Sequence, residues 1–316
     1  MARPDSKLRA YLELLRLPNV FTAIADVIMG YWFAQAAAQE STGDSQLGIV
    51  ILLILASSSF YLSGMVLNDY FDRNKDLQER PARPIPSRRV PESAALWLGT
   101  QLIILGIVFA ATLSFITGLF GPAFFAILLA AAVIAYDGML KKNWLGPIGM
   151  GSCRALNVMM GMSVIDGTLM SLTTSHYLIV GGIGIYIVGL TWFARSEAHT
   201  SSRAALSAGM IIMGIGIACL VSFPQFLSPG KTLVAGNIGL WLAFWSVVTL
   251  QIAWRCGRAI LEPNPLNVQV AVKFCLLTLI VLDAAIIFAT QGNEKALLLL
   301  ALLIPTIFLG RFIYST

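Results

Sequence analysis

Residues 68–76 read Asn-Asp-Tyr-Phe-Asp-Arg-Asn-Lys-Asp and follow directly on an apolar stretch of membrane-crossing length. In a helix, Asp69, Asp72 and Asp76 stand at i, i+3 and i+7, so their carboxylates share one face. Such a group suits a shared cation. Mg²⁺ is commonly held through one or two carboxylates while phosphate oxygens and water complete its octahedron. Basic side chains that could pair with phosphate come next: Lys75, Arg80, Arg83, Arg88 and Arg89, in the run Glu79-Arg-Pro-Ala-Arg-Pro-Ile-Pro-Ser-Arg-Arg-Val. A charged interfacial loop that merely stays hydrated would look similar, and spacing alone leaves both readings open. The three prolines, Pro81, Pro84 and Pro86, favour the metal-diphosphate reading, because they restrict the backbone that carries the arginines and hydration has no use for that.

These residues must be positioned by a membrane protein. The chain is 57% hydrophobic and 12% charged, with a mean hydropathy of +0.79, which excludes an ordinary soluble domain. Ten apolar stretches are long enough to cross a bilayer, near 19–38, 47–67, 94–116, 119–136, 146–165, 176–194, 204–222, 236–254, 270–290 and 295–313. They are too long and continuous for barrel strands, so the predicted fold is all-α, a polytopic bundle of about ten spans. With both termini cytoplasmic, Arg3, Lys7, Arg9, Arg16, the cluster Arg73 to Arg89, Lys141, Lys142, Arg195, Arg203, Arg255 and Arg258 fall on the inner side. Only Lys231 and Lys295 fall in outer loops. This places the acid-rich run in the cytoplasm, and the net charge of +5 calls for no nucleic-acid partner. Residues 1–17 read as an amphipathic interfacial helix ahead of one transmembrane domain, 18–316. The four dispersed cysteines form no CxxC pair and suggest buried apolar roles.

Polar residues within spans are costly and need a partner or a cavity. Asn19 and Asp26 fall in the first span, Arg154 and Asn157 in the fifth, and Asp283 in the ninth; interhelical hydrogen bonding accounts for them as readily as substrate contact. At the end of the fourth span, Tyr136-Asp-Gly-Met-Leu-Lys-Lys puts Lys141 where it could meet a diphosphate or serve topology alone. After the sixth, Arg195, Glu197, His199 and Arg203 could complete the other half of a polar site or form a solvated loop.

On the residues Leu17-Pro-Asn-Val, Asn68 to Asp76, Arg80-Pro-Ala-Arg-Pro-Ile-Pro-Ser and Tyr136 to Lys141, the chain resembles the UbiA superfamily of intramembrane prenyltransferases over nearly its whole length. Cys153-Arg-Ala-Leu-Asn, Thr191-Trp-Phe-Ala-Arg-Ser-Glu-Ala, Ala271-Val-Lys and Gly310-Arg-Phe-Ile-Tyr-Ser-Thr resemble, more narrowly, the UbiA-like EboC subgroup. The resemblance implies a bundle with a central cavity, a prenyl diphosphate donor, a lipophilic or aromatic acceptor and Mg²⁺. By position it makes Asn68, Asp72 and Asp76 the first metal site and sets Arg80, Arg83 and Lys141 on the diphosphate. Where the superfamily has a second aspartate-rich motif, this chain has Glu197 as the only carboxylate, flanked by Arg195 and Arg203. That loop is therefore expected to neutralise diphosphate with guanidinium groups, with Glu197 in a catalytic or metal-assisting role. The subgroup resemblance further implies a setting in secondary metabolism.

Two functions stay open at this level: a prenyltransferase, and a non-catalytic prenyl-lipid-binding or metabolite-export component that keeps the fold. The orientation can be tested on its own. In cysteine-scanning experiments, reagents confined to the outside are expected to label positions near Gly43 and Asp166 and not positions near Arg83 or Ser201; the reverse pattern would overturn the assignment.

Overall fold

The computed structural model describes residues 7–38, 46–168, 172–195, 201–228, 230, 232–234 and 236–311. Every regular element among them is helical: α1 Lys7–Leu15, α2 Val20–Ala38, α3 Gln46–Glu79, α4 Glu92–Thr117, α5 Gly121–Gly138, α6 Gly146–Met162, α7 Thr174–Ala194, α8 Arg203–Ser222, α9 Ile238–Leu261, α10 Pro265–Gln291, α11 Asn293–Ala301 and α12 Leu303–Leu309. Helix starts follow local chemistry. Pro122, Pro147 and Pro265 occupy first turns, where a missing N–H costs nothing. Thr173 and His176 form a reciprocal cap on α7, and Asn264 accepts the Asn267 N–H at 2.8 Å to start α10.

The longest helix carries the acid-rich run. No glycine or proline interrupts residues 65–79, so α3 continues through Asn68, Asp72 and Asp76 until Pro81 bars the helical conformation at Arg80. The connection expected over 68–93 is therefore only 80–91, and the carboxylates stand on a rigid helix.

Among the described residues, eight helical stretches are long and apolar enough to cross a membrane by length and composition. The two other expected segments take different forms. Helix α6 has 17 residues, and 295–313 is divided at Leu302 into α11 and α12. Pro305 has no N–H to return to the Ala301 carbonyl, and the helix yields one turn before it. The divided segment still runs the length of α2. At one end Lys295 donates to Gln35 Oε1 at 3.1 Å, and at the other α12 packs on the turn Leu17–Asn19 that leads into α2.

Neighbouring helices meet backbone to backbone. A Cβ on Gly216 of α8 would stand 2.6 Å from the Tyr186 nitrogen of α7, and a Cβ on Gly161 of α6 would collide with the Val27 carbonyl of α2. In lipid, where helices gain nothing by hiding apolar surface from one another, such close contact is what holds them. On the face that carries the end of α3, a smaller apolar cluster joins Ala10 and Leu14 of α1 to Val66, Ala95 and, from the proline-rich connection, Ile85 and Val90. That connection is a folded cap with its own core.

Gly161→Leu is expected to destabilise the bundle by at least about 3 kcal/mol, because a backbone carbonyl cannot move aside for the new side chain. Gly239→Ala, at a position with nothing within 4 Å, should leave stability unchanged or slightly raised. Denaturant unfolding of both variants in detergent checks the contrast.

Candidate functional site

The end of α3 is an array of paired charges. Arg83, held by the cap, donates to Asp76 Oδ2 at 2.7 Å and to Asp69 Oδ1 at 3.2 Å, bridging two carboxylates seven residues apart on one face. Arg16 reaches the same Asp69 oxygen at 2.8 Å. Its backbone is in the left-handed region, φ 46°, a strain of order 1–2 kcal/mol that the ion pair offsets. Lys141 pairs with Asp72 Oδ1 at 2.9 Å and also donates to the Asn68 carbonyl at 3.2 Å. The cap is fastened outside this array by Arg89 to Glu13 at 2.8 Å and Arg73 to Glu92 at 2.9 Å.

Beneath the array lies a cavity of about 270 Å³. Arg16, Arg80, Arg83 and Lys273 ring its mouth, while its walls include Phe60, Leu129, Val133, Ile187, Leu190 and Leu276. Asn19, Tyr61, Tyr136 and Asp137 also face it, and its floor is formed by Ser57, Arg154 and Asn157. Between Ser57 and Asn68, α3 rises about 16 Å at 1.5 Å per residue, which sets the depth from charged mouth to floor.

The floor is polar because it sits on a buried ion cluster. Arg154 donates to Asp26 Oδ2 at 2.6 Å and to Thr22 Oγ1 at 2.8 Å, and its guanidinium lies over the Tyr61 ring, 5.6 Å from the centroid. Asp283 of α10 is fully buried beside Asp26. Asn157 Nδ2 and Ser57 Oγ both donate to the Ala23 carbonyl, at 2.8 and 3.0 Å. Helices α2 and α6, which meet through Gly161, are thus also tied through charge.

The expected site residues divide into three groups. Asn68, Asp72, Asp76, Arg80, Arg83 and Lys141 are brought together at or around the cavity mouth. Arg203 is not: its Nη2 donates to the Leu261 carbonyl at the end of α9, at 3.0 Å, and it does not line the cavity. Arg195 is exposed at the end of α7 and does not line it either. Glu197 and His199 lie outside the described residues. Four residues join the mouth or wall without having been singled out for it: Arg16 and Lys273, which sequence offered as topological charges or part of a motif, and Tyr136 and Asp137, adjacent in the Tyr-Asp-Gly run.

Among the described residues no three His, Cys, Asp or Glu side chains converge tightly enough to hold an ion by themselves. The donor set nevertheless fits Mg²⁺ used in its common manner. Asp72, the Asn68 amide and Asp137, whose two oxygens are buried without a hydrogen-bond partner, are hard oxygen donors close to the mouth. An ion there would take its remaining ligands from phosphate and water.

Comparison with known proteins accords with this geometry. The profile of the UbiA prenyltransferase family matches residues 27–257. The chain is 31% identical over 167 residues to digeranylgeranylglyceryl phosphate synthase of Methanosarcina barkeri, covering 51% of this chain and 56% of that one. It is 26% identical over 242 residues to the synthase of the same name from Methanothermobacter thermautotrophicus, covering 76% and 80%. The chain thus spans about half the length of the first of these relatives and more of the second. A UbiA homolog from Archaeoglobus fulgidus, solved bound to DMAPP and Mg²⁺, superposes with a TM-score of 0.62 at 14% identity, over 88% of this chain and 98% of that one. At that identity the likeness is one of fold.

The Arg154–Asp26 pair allows a charge-balance test. Arg154→Met strands a buried carboxylate and is expected to cost roughly 3–5 kcal/mol, whereas Arg154→Met with Asp26→Asn should recover most of that loss. Unfolding midpoints for the two single variants and the double variant measure it, and equal losses in all three would show that the pair does not balance charge.

Proposed function

The chain belongs to the UbiA prenyltransferase family, and from that premise we propose that it transfers an isoprenoid group within the membrane from an allylic diphosphate to a lipophilic or aromatic acceptor. One observation carries the reading: a ring of fixed cations, Arg16, Arg80, Arg83 and Lys273, above a chamber walled by apolar and aromatic side chains. A prenyl diphosphate has that same division into anionic head and hydrocarbon tail. The narrower EboC-like identity and a role in secondary metabolism belong to this proposal and rest on the motifs around Cys153, Thr191 and Gly310.

In this scheme Arg80 and Arg83 take the phosphate oxygens through directional guanidinium hydrogen bonds, and Lys141 serves as a point charge at the same head. Asn68, Asp72 and Asp76 would hold Mg²⁺, which when bound draws charge from the leaving diphosphate. The bond between the allylic carbon and the diphosphate oxygen breaks, diphosphate takes the electron pair, and the acceptor forms the new bond and then loses a proton. Phe60, Tyr61 and Tyr136 line the cavity, and their rings would shelter the allylic cation. The apolar walls keep water from capturing it.

The relatives called digeranylgeranylglyceryl phosphate synthase support a lipid-sized acceptor, although their activity is not carried over as a whole. A binding-only role draws support from a specific observation: Arg16, Arg83 and Lys141 already neutralise Asp69, Asp72 and Asp76 without any added cation.

Protein in lipid nanodiscs, supplied with geranyl diphosphate, Mg²⁺ and a membrane lipid extract, is expected to release diphosphate, and Asp72→Asn to slow that release by at least about 100-fold. Donor that binds Mg²⁺-dependently and stays intact with every acceptor tried would establish the binding-only role instead.

A further inference from the structure

Among the described residues, Asp137 is the carboxylate at this mouth that has no ion-pair partner. It ends α5 one position after Tyr136, is 1% exposed, lines the cavity, and neither of its oxygens has a hydrogen-bond partner. Its neighbours fare differently: Asp69 and Asp76 are bound by arginines and Asp72 by Lys141. The charged groups that act on Asp137 are Lys141, Asp72 and Arg16, with the Asn68 side chain close by. Lys141, although near, lies beyond ion-pair distance from it and is committed to Asp72 and the Asn68 carbonyl.

Burying an unpartnered carboxyl group is costly, so stability gives no reason for an aspartate here. An orphaned oxygen pair aimed into a cavity beside a second carboxylate has a reason if a cation joins them. We propose that Asp137 is a ligand of the divalent cation held by Asn68 and Asp72, so that α5 supplies a carboxylate to the site on α3. This rests on the metal-diphosphate reading above. It places the ion between α3 and α5, with Lys141 displaced toward the phosphate when the ion enters. Because α5 leads through Leu140–Lys142 into α6, the same short segment would deliver both a metal ligand and a phosphate-binding ammonium.

The test is cation binding without turnover. Full-length protein in nanodiscs is titrated with Mn²⁺ in the presence of geranyl S-thiolodiphosphate, which does not ionise readily, and bound Mn²⁺ is followed by electron paramagnetic resonance. Asp137→Asn is expected to weaken Mn²⁺ at least tenfold, close to the effect of Asp72→Asn, and the analogue should bind again at saturating Mn²⁺. Asp137→Cys should shift the preference from Mn²⁺ toward Cd²⁺ by at least tenfold, a change that a purely structural aspartate does not produce. Asp137→Asn with Mn²⁺ affinity within twofold of the original, beside a weakened Asp72→Asn, overturns the proposal and leaves the diphosphate site standing. No analogue-dependent Mn²⁺ binding in the unaltered protein overturns both. Should Asp137→Asn fail to fold, the Cys variant decides alone: no gain for Cd²⁺ counts against Asp137 as a ligand.

Discussion

A carboxylate near the end of a membrane helix can be buried only if a cation is brought to it, and much of this protein's proline-rich cap is the means of doing so. Asp69 and Asp76 are each 3% exposed; Asp76 would be untenable without Arg83, which also reaches the Asp69 that Arg16 holds. Arg83 must therefore be held over α3, which requires a short, stiff connection instead of a free loop. Pro81, Pro84 and Pro86 supply the stiffness, while Ile85 and Val90 anchor it in the small core shared with α1. Arg16 imposes the same demand from the other direction and fixes the turn between α1 and α2 against α3. The cavity mouth is thus assembled by the need to balance these charges.

Deeper in the bundle the same rule works through shape. Gly161 lets α6 press its backbone against α2, and only at that separation does Arg154 reach Asp26 and Thr22 at hydrogen-bonding distance. Close packing and ion pairing are then one constraint: the small residue sets the distance at which the long one is satisfied. The polar floor also limits what fits above it. A hydrocarbon tail gains nothing from Arg154 and Asn157, so an apolar chain entering from the mouth would either stop short of them or leave sideways between helices.

Much of this was legible from residues alone where the pattern is local. The helical face of Asp69, Asp72 and Asp76 follows from spacing, and α3 extends through it because nothing in the run breaks a helix. Pro305, which divides the last segment, was also visible, but hydropathy over 295–313 outweighs a single proline when only length is counted. Partners distant in sequence were not legible. Arg16 and Asp69 lie 53 residues apart, and Asp26 and Arg154 lie 128 apart; each reads singly as a topological charge or an isolated interior polar group. Asp137 was hidden for another reason. An aspartate beside lysines at a helix end looks solvated, and only its burial without a partner distinguishes it. Arg203 errs the opposite way, since an arginine next to a candidate motif invites a ligand role while in the fold it caps the carbonyl end of α9.

The charge count at the mouth bears on how many metal ions such a site needs. Among the described residues, Arg16, Arg80, Arg83, Lys141 and Lys273 stand against Asp69, Asp72, Asp76 and Asp137, an excess of one positive charge. A prenyl diphosphate near neutral pH carries about three negative charges, by the ordinary ionisation of phosphate groups. One divalent cation closes that difference, whereas two would leave the complex positive in a medium that penalises uncompensated charge. Under the proposed prenyl transfer, five fixed cations at the mouth give the balance expected of one metal ion. Guanidinium and ammonium groups would then do permanently what a second ion would do only when bound, and would go on holding the leaving diphosphate after the allylic bond has broken.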